Sequence, residues 1–168
     1  MLIPSIGVEE EYQLVDAETG ILRPDCKRVM SNLRREPDAD IQHELYLNQI
    51  EMASSICTTL QEVRDAVAEV RMLLIESAAK TGTALIAAGM NPMPIPEELV
   101  VTPNERYEAM SEKYQQIARE LLIFGCHIHI SIESRELGAQ IMKHTQRWLP
   151  LLQALTANSP YWDGEDTG

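Results

Sequence analysis

The spacing of apolar and polar residues changes several times along the chain, and each change marks an element. Residues 7–15, GVEEEYQLV, read as a strand that carries three consecutive carboxylates, and DAETG then reads as a turn into a second arm, ILRPD. Residues 26–36, CKRVMSNLRRE, suit a short helix with a basic face. IQHELYLNQIEMASSIC mixes β-formers with polar residues, as in one or two half-buried strands. Helical spacing is plainest at Leu60, Val63, Val67, Val70 and Leu74, with Thr58 or Thr59 to cap the start and Gly82 to end it. TALIAAGM predicts a short strand buried on both faces, and the next fifteen residues hold four prolines and predict a loop. NERYEAMSEKYQQIARELLI predicts one helix, GCHIHISIE a strand, and Ser134 caps a last long helix that Pro150 should kink. The order β, β, α, β, α, β, α, with strands of mixed polarity, predicts an α+β domain: an antiparallel sheet with helices on one face and a polar working face on the other.

The chain has 168 residues, 45% apolar, enough for one domain with a real core. Twenty-six acidic against 14 basic side chains leave a net charge of −12, which argues against nucleic acid as a partner. Cys26, Cys57 and Cys126 form an odd set without CxxC spacing, so reduced, mostly buried thiols are expected rather than disulfides or a cysteine zinc site. The opening residues do not read as a signal peptide and no apolar run is long enough to span a membrane, so the expected setting is cytoplasmic, with no membrane partner.

Charge placement adds candidate chemistry. Alternation puts Glu9 and Glu11 on one face of the first strand, with Val8, Glu10 and Tyr12 on the other. Carboxylates about 7 Å apart on one face can cradle a hard divalent cation such as magnesium, although a solvated acidic strand would show the same pattern. Glu10 is the awkward member if its face packs on helices. In CHIHI, His127 and His129 share a polar face, suited to a metal or to phosphate or carboxylate oxygens, while Ile128 and Ile130 form an apolar core face. Glu51 points away from the core that Ile50 and Met52 enter, and only a turn or bulge could bring Glu44 to the same face. Tyr161 and Trp162 lie in a terminal loop, LTANSPYWDGEDTG, for which no secondary structure is predicted.

Taken together, IGVEEEYQLVD, ELYLNQIEMASSIC, RYEAMSEKYQQIARELLIFGCHIHISIE and LPLLQALTANSPYWDGEDTG resemble, in order, segments of the bacterial glutamate–cysteine ligase type 2 family, a family of carboxylate–amine ligases. The resemblance implies a fold similar to the glutamine synthetase catalytic domain, with residues 1–168 as the N-terminal portion of a single ligase domain. It implies ATP and magnesium as cosubstrate and cofactor, and small amino acids, by default glutamate and cysteine, as substrates. Glu9, Glu11 and Glu51 would be metal ligands, and His127 and His129 would face nucleotide or substrate oxygens. Asn91 stands in GMNP where the family has histidine. The alternatives are an inactive fragment that keeps the fold and binds metal or self-associates, and a metal-dependent hydrolase built on the two histidines. An uncovered sheet face would expose apolar surface and favour a homo-oligomer.

Overall fold

The computed structural model describes residues 4–35 and 37–168. Its centre is β1 (Ile6–Asp16), long enough to hold three partners. β3 (Gln49–Ser54) lies antiparallel along one edge, and β2 (Ala39–His43) pairs beyond it. The other edge is shared end to end: β4 (Thr83–Ile86) takes Gln13–Asp16, and β5 (Cys126–Ile130) takes Ile6–Glu10. Among the described residues these five strands form one antiparallel sheet, the α+β class expected.

α1 (Cys26–Ser31) and α2 (Leu60–Ala79) cover one face, where Tyr12, Leu14, Ile50 and Met52 meet Val29, Val70 and Leu74 in the main core. α2 starts at a capping box in which Thr59 and Glu62 satisfy each other's backbone N–H groups. Leu60, expected on its apolar stripe, is 78% exposed. Gly82, at φ 71°, supplies the left-handed step between α2 and β4. A smaller core of Val15, Leu22, Leu45, Tyr46, Leu122 and Phe124 closes one end of the opposite face under α3 (Glu105–Tyr114) and α4 (Gln116–Arg119).

Several expectations are corrected. The second arm of the first hairpin is a single bridge, Val15 to Leu22, because Pro24 and α1 follow at once. The short helix ends at Ser31, and residue 36 of that segment lies outside the described residues. β4 is half-buried after Thr83, not enclosed on both faces. The helix expected over residues 104–123 breaks at Gln115, whose φ of 44° redirects the chain so that the Ala118 carbonyl accepts from the Tyr46 hydroxyl at 2.9 Å. α5 (Arg135–Thr145), capped by Ser134, gives way to a 3-10 turn before α6 (Leu149–Thr156), with Pro150 in the first turn of the new helix, where its missing N–H costs nothing. Ile128 and Ile130, expected in a core, are 69% and 50% exposed, for no described element packs on them. The terminal segment forms a hairpin of β6 (Tyr161–Trp162) and β7 (Glu165–Asp166), whose turn residues Asp163 and Gly164 both have positive φ.

Candidate metal and substrate site

Register builds the site. In antiparallel pairs, opposed residues share a face, so Glu9 meets His127 across β5, Glu11 meets Glu51 across β3, and Gly7 meets His129. All five predicted site residues therefore stand on one face of the sheet, the one opposite α1 and α2. Glu9 is the hub: its Oε2 lies 2.9 Å from His129 Nε2 and 3.4 Å from His127 Nδ1. The three side chains can each offer a ligand atom within 4.8 Å of the others. Glu9, on the neighbouring strand, is thus the third group beside the histidine pair that could hold a metal ion.

Glu11 is held differently. Its Oε2 accepts from the Gly125 N–H at 2.8 Å while its own N–H donates to the Gly125 carbonyl at 3.0 Å. A Cβ at residue 125 would lie 2.9 Å from His127 Nε2, so any other residue there would push that ring aside. This residue went unremarked in the sequence because nothing there shows which ring would approach it.

Glu51 completes the acid group. β2 ends at His43, and the following turn brings the Glu44 carboxyl toward Glu51, where one of the two must keep its proton for them to share a hydrogen bond. Burial, the Glu44 charge and that bond, then Glu11 and Glu9, push the Glu51 carboxyl up to about 7. Glu9 moves the other way, chiefly through its hydrogen bond to His129. The donor set suits a hard cation: carboxylates crowded until one retains its proton near neutrality are relieved by a divalent charge among them.

Glu10 explains why three carboxylates in a row are tolerated. It points to the helix side, mid-strand and buried, where Arg71 of α2 donates from Nε to Oε2 at 2.8 Å and from a second nitrogen to Oε1, and the Tyr12 hydroxyl donates to Oε2. Arg71 had given no signal, because its partner is 61 residues away.

Two cavities flank Gly125. One of about 300 Å³ has Glu11, Glu44 and His127 on one side and Met110, Leu121 and Ile123 on the other. The other, about 310 Å³, is lined by Glu11, Ala88, Gly89, Cys126, Thr156 and Asn158. Asn91 lines neither; it is buried, donating to the Gly20 carbonyl at 3.3 Å and accepting from the Met93 N–H at 2.8 Å.

A Rhodopirellula baltica protein provisionally named glutamate–cysteine ligase 2 is 58% identical over 171 residues, which cover 99% of this chain and 46% of that protein. A Salinispora arenicola protein of the same provisional name is 38% identical over 98% of this chain and 43% of its own length. The chain thus spans somewhat under half the length of these curated relatives. Among solved structures, a bifunctional glutathione synthetase from Pasteurella multocida superposes with TM-score 0.57 at 20% identity, over 86% of this chain and 19% of that one. A glutamate–cysteine ligase from Francisella tularensis in complex with AMP also gives 0.57, at 15% identity, over 87% of this chain and 30% of that one. At these identities the likeness is one of fold. Residues 5–168 match the profile of glutamate–cysteine ligase family 2 (GCS2), and the chain belongs to that family.

Proposed function

We propose that this chain carries the metal-binding and nucleotide-facing part of the catalytic site of an ATP-dependent carboxylate–amine ligase, joining glutamate and cysteine into γ-glutamylcysteine. The observation that carries the reading is the single sheet face on which Glu9, Glu11 and Glu51 stand beside His127 and His129. Glu9, Glu11 and Glu51 would hold magnesium, whose positive charge, when bound, offsets that of the ATP phosphates. The two histidines border this acid group from β5, positioned to donate to phosphate or carboxylate oxygens. Gly125, through its N–H, fixes one Glu11 oxygen and leaves the other free to turn outward.

In the proposed reaction a substrate carboxylate oxygen attacks the γ-phosphorus of ATP and ADP leaves. The amine then attacks the acyl carbon, phosphate leaves, and the nitrogen loses a proton. A reducing, cytoplasmic setting belongs to the same proposal, since Cys26, Cys57 and Cys126 are all free thiols. No described helix is long and apolar enough to cross a membrane.

The second reading, a fragment that binds metal or self-associates without catalysis, is favoured by the apolar side chains left open on β5, α5 and α6, among them Ile128, Met142 and Leu155. ADP release separates the two. Release that needs a carboxylate and an amine together, and that Glu11→Gln abolishes, supports the ligase. Magnesium binding with no ADP release under any substrate pair supports the fragment.

A further inference from the structure

On the face of the sheet opposite the acids, the Cys26 sulfur lies against two further donor atoms, Met30 Sδ and His43 Nδ1. Cys26 opens that helix and is fully buried. Its Sγ lies 3.8 Å from Met30 Sδ, four residues on along the same helix, and 3.0 Å from His43 Nδ1. His43 ends β2 and shares its face with Ala39 and Ile41, which pack on the main core. Burial pushes the Cys26 thiol up to about 12 and holds the His43 ring below its usual range, so a neutral thiol rests against a neutral ring. Neither atom takes part in the chemistry proposed above.

We propose that Cys26, Met30 and His43 form a binding site for a soft univalent cation, copper(I). Thiolate, thioether and imidazole are the donors that select this ion over magnesium or calcium. Charge supports the same choice. The ion would replace the thiol proton, Cys–SH plus Cu⁺ giving Cys–S–Cu plus H⁺, while methionine and histidine bind as neutral ligands. The product is uncharged and can stay buried, whereas a divalent ion would leave one positive charge beneath the sheet. With bonds of about 2.3 Å to sulfur and about 2.0 Å to nitrogen as a guide, trigonal binding separates its donors by about 4 Å. The two sulfurs already meet this. The histidine must draw back by about 0.7 Å, which a part-exposed side chain ending an edge strand can do. Of the three donors, Met30 also lines a cavity of about 540 Å³, with Leu33, Ala39 and Ile41.

The test is anaerobic copper(I) titration in competition with graded bicinchoninate, on a Cys57→Ser, Cys126→Ser background that leaves Cys26 as the one thiol, with circular dichroism to confirm folding. The expected result is one equivalent held, no stoichiometric binding after Cys26→Ala, and affinity lowered tenfold or more by Met30→Leu and by His43→Gln. Folded protein that retains no copper, or retention indifferent to these substitutions, overturns the proposal. Should the background variant not fold, X-ray absorption on the unmodified chain with one equivalent of copper(I) decides. A shell of two sulfurs and one nitrogen is expected, and any other shell overturns the assignment.

Discussion

Replacing Arg71 of α2 with methionine keeps most of the aliphatic stem and removes the charge that faces Glu10. The loss follows from the geometry. Arg71 donates two charge-assisted hydrogen bonds to a carboxylate whose side chain is only 5% exposed. Such bonds contribute about 1.5–3 kcal/mol each, so both together set a ceiling of about 6 kcal/mol. The Tyr12 hydroxyl remains as a donor, and the Arg71 side chain is itself 46% exposed, so solvent already screens the pair. About 2–3 kcal/mol should therefore be lost, below the range for breaking a fully buried pair. Urea unfolding at pH 7 measures it, as a lower midpoint at unchanged slope. Glu10→Gln added to Arg71→Met should recover more than half of the loss, because the uncompensated buried charge is then gone. Since Glu10 lies between Glu9 and Glu11, magnesium affinity should fall with stability in the single variant and return in the double. A loss under about 0.5 kcal/mol would mean that the pair behaves as a surface salt bridge, and the account of the three consecutive glutamates would be wrong.

Glu51 makes stability depend on pH in a definite direction. Its carboxyl sits near 7 in the fold and near the ordinary value unfolded, so the folded chain binds more protons, and its contribution is lost as pH rises through about 7. Glu51→Gln should remove that loss, gaining on the parent between pH 5 and pH 8, and magnesium should flatten the parent's profile; parallel urea midpoints for the two proteins across that range would refute it. Gly125→Ala should push the His127 ring aside, weaken magnesium binding severalfold by calorimetry and cost about 1 kcal/mol, with an unchanged imidazole NMR signal as the contrary result. The open apolar side chains of β5, α5 and α6 predict self-association in sedimentation velocity, and a concentration-independent monomer would count against a homo-oligomer.

Much of the site could be read from residue order alone, for a local reason. A two-residue period assigns each side chain of a strand to a face whatever the strand pairs with, so Glu9 with Glu11, and His127 with His129, were legible at once. Glu51 was legible from its buried neighbours Ile50 and Met52. Capping at Thr59 and Ser134 is likewise decided within four residues. The Asp163–Gly164 hairpin was equally local, and the DG pair was the overlooked signal for it.

What only the tertiary structure decided is everything that rests on register. Whether Glu9 faces His127 or a residue one place along depends on how two strands more than a hundred residues apart slide past each other, and a slip of one place would turn the histidines to the helix side. The same holds for the burial and the Glu44 charge that raise the Glu51 carboxyl, for the His127 ring that a Cβ at 125 would push aside, and for Arg71 beneath Glu10. Side-chain period is a property of the chain, but the charge each group feels falls off with distance through space. The sequence by itself therefore determined which residues could form the site, and the packing of β1 against β3 and β5 determined what each of them experiences there.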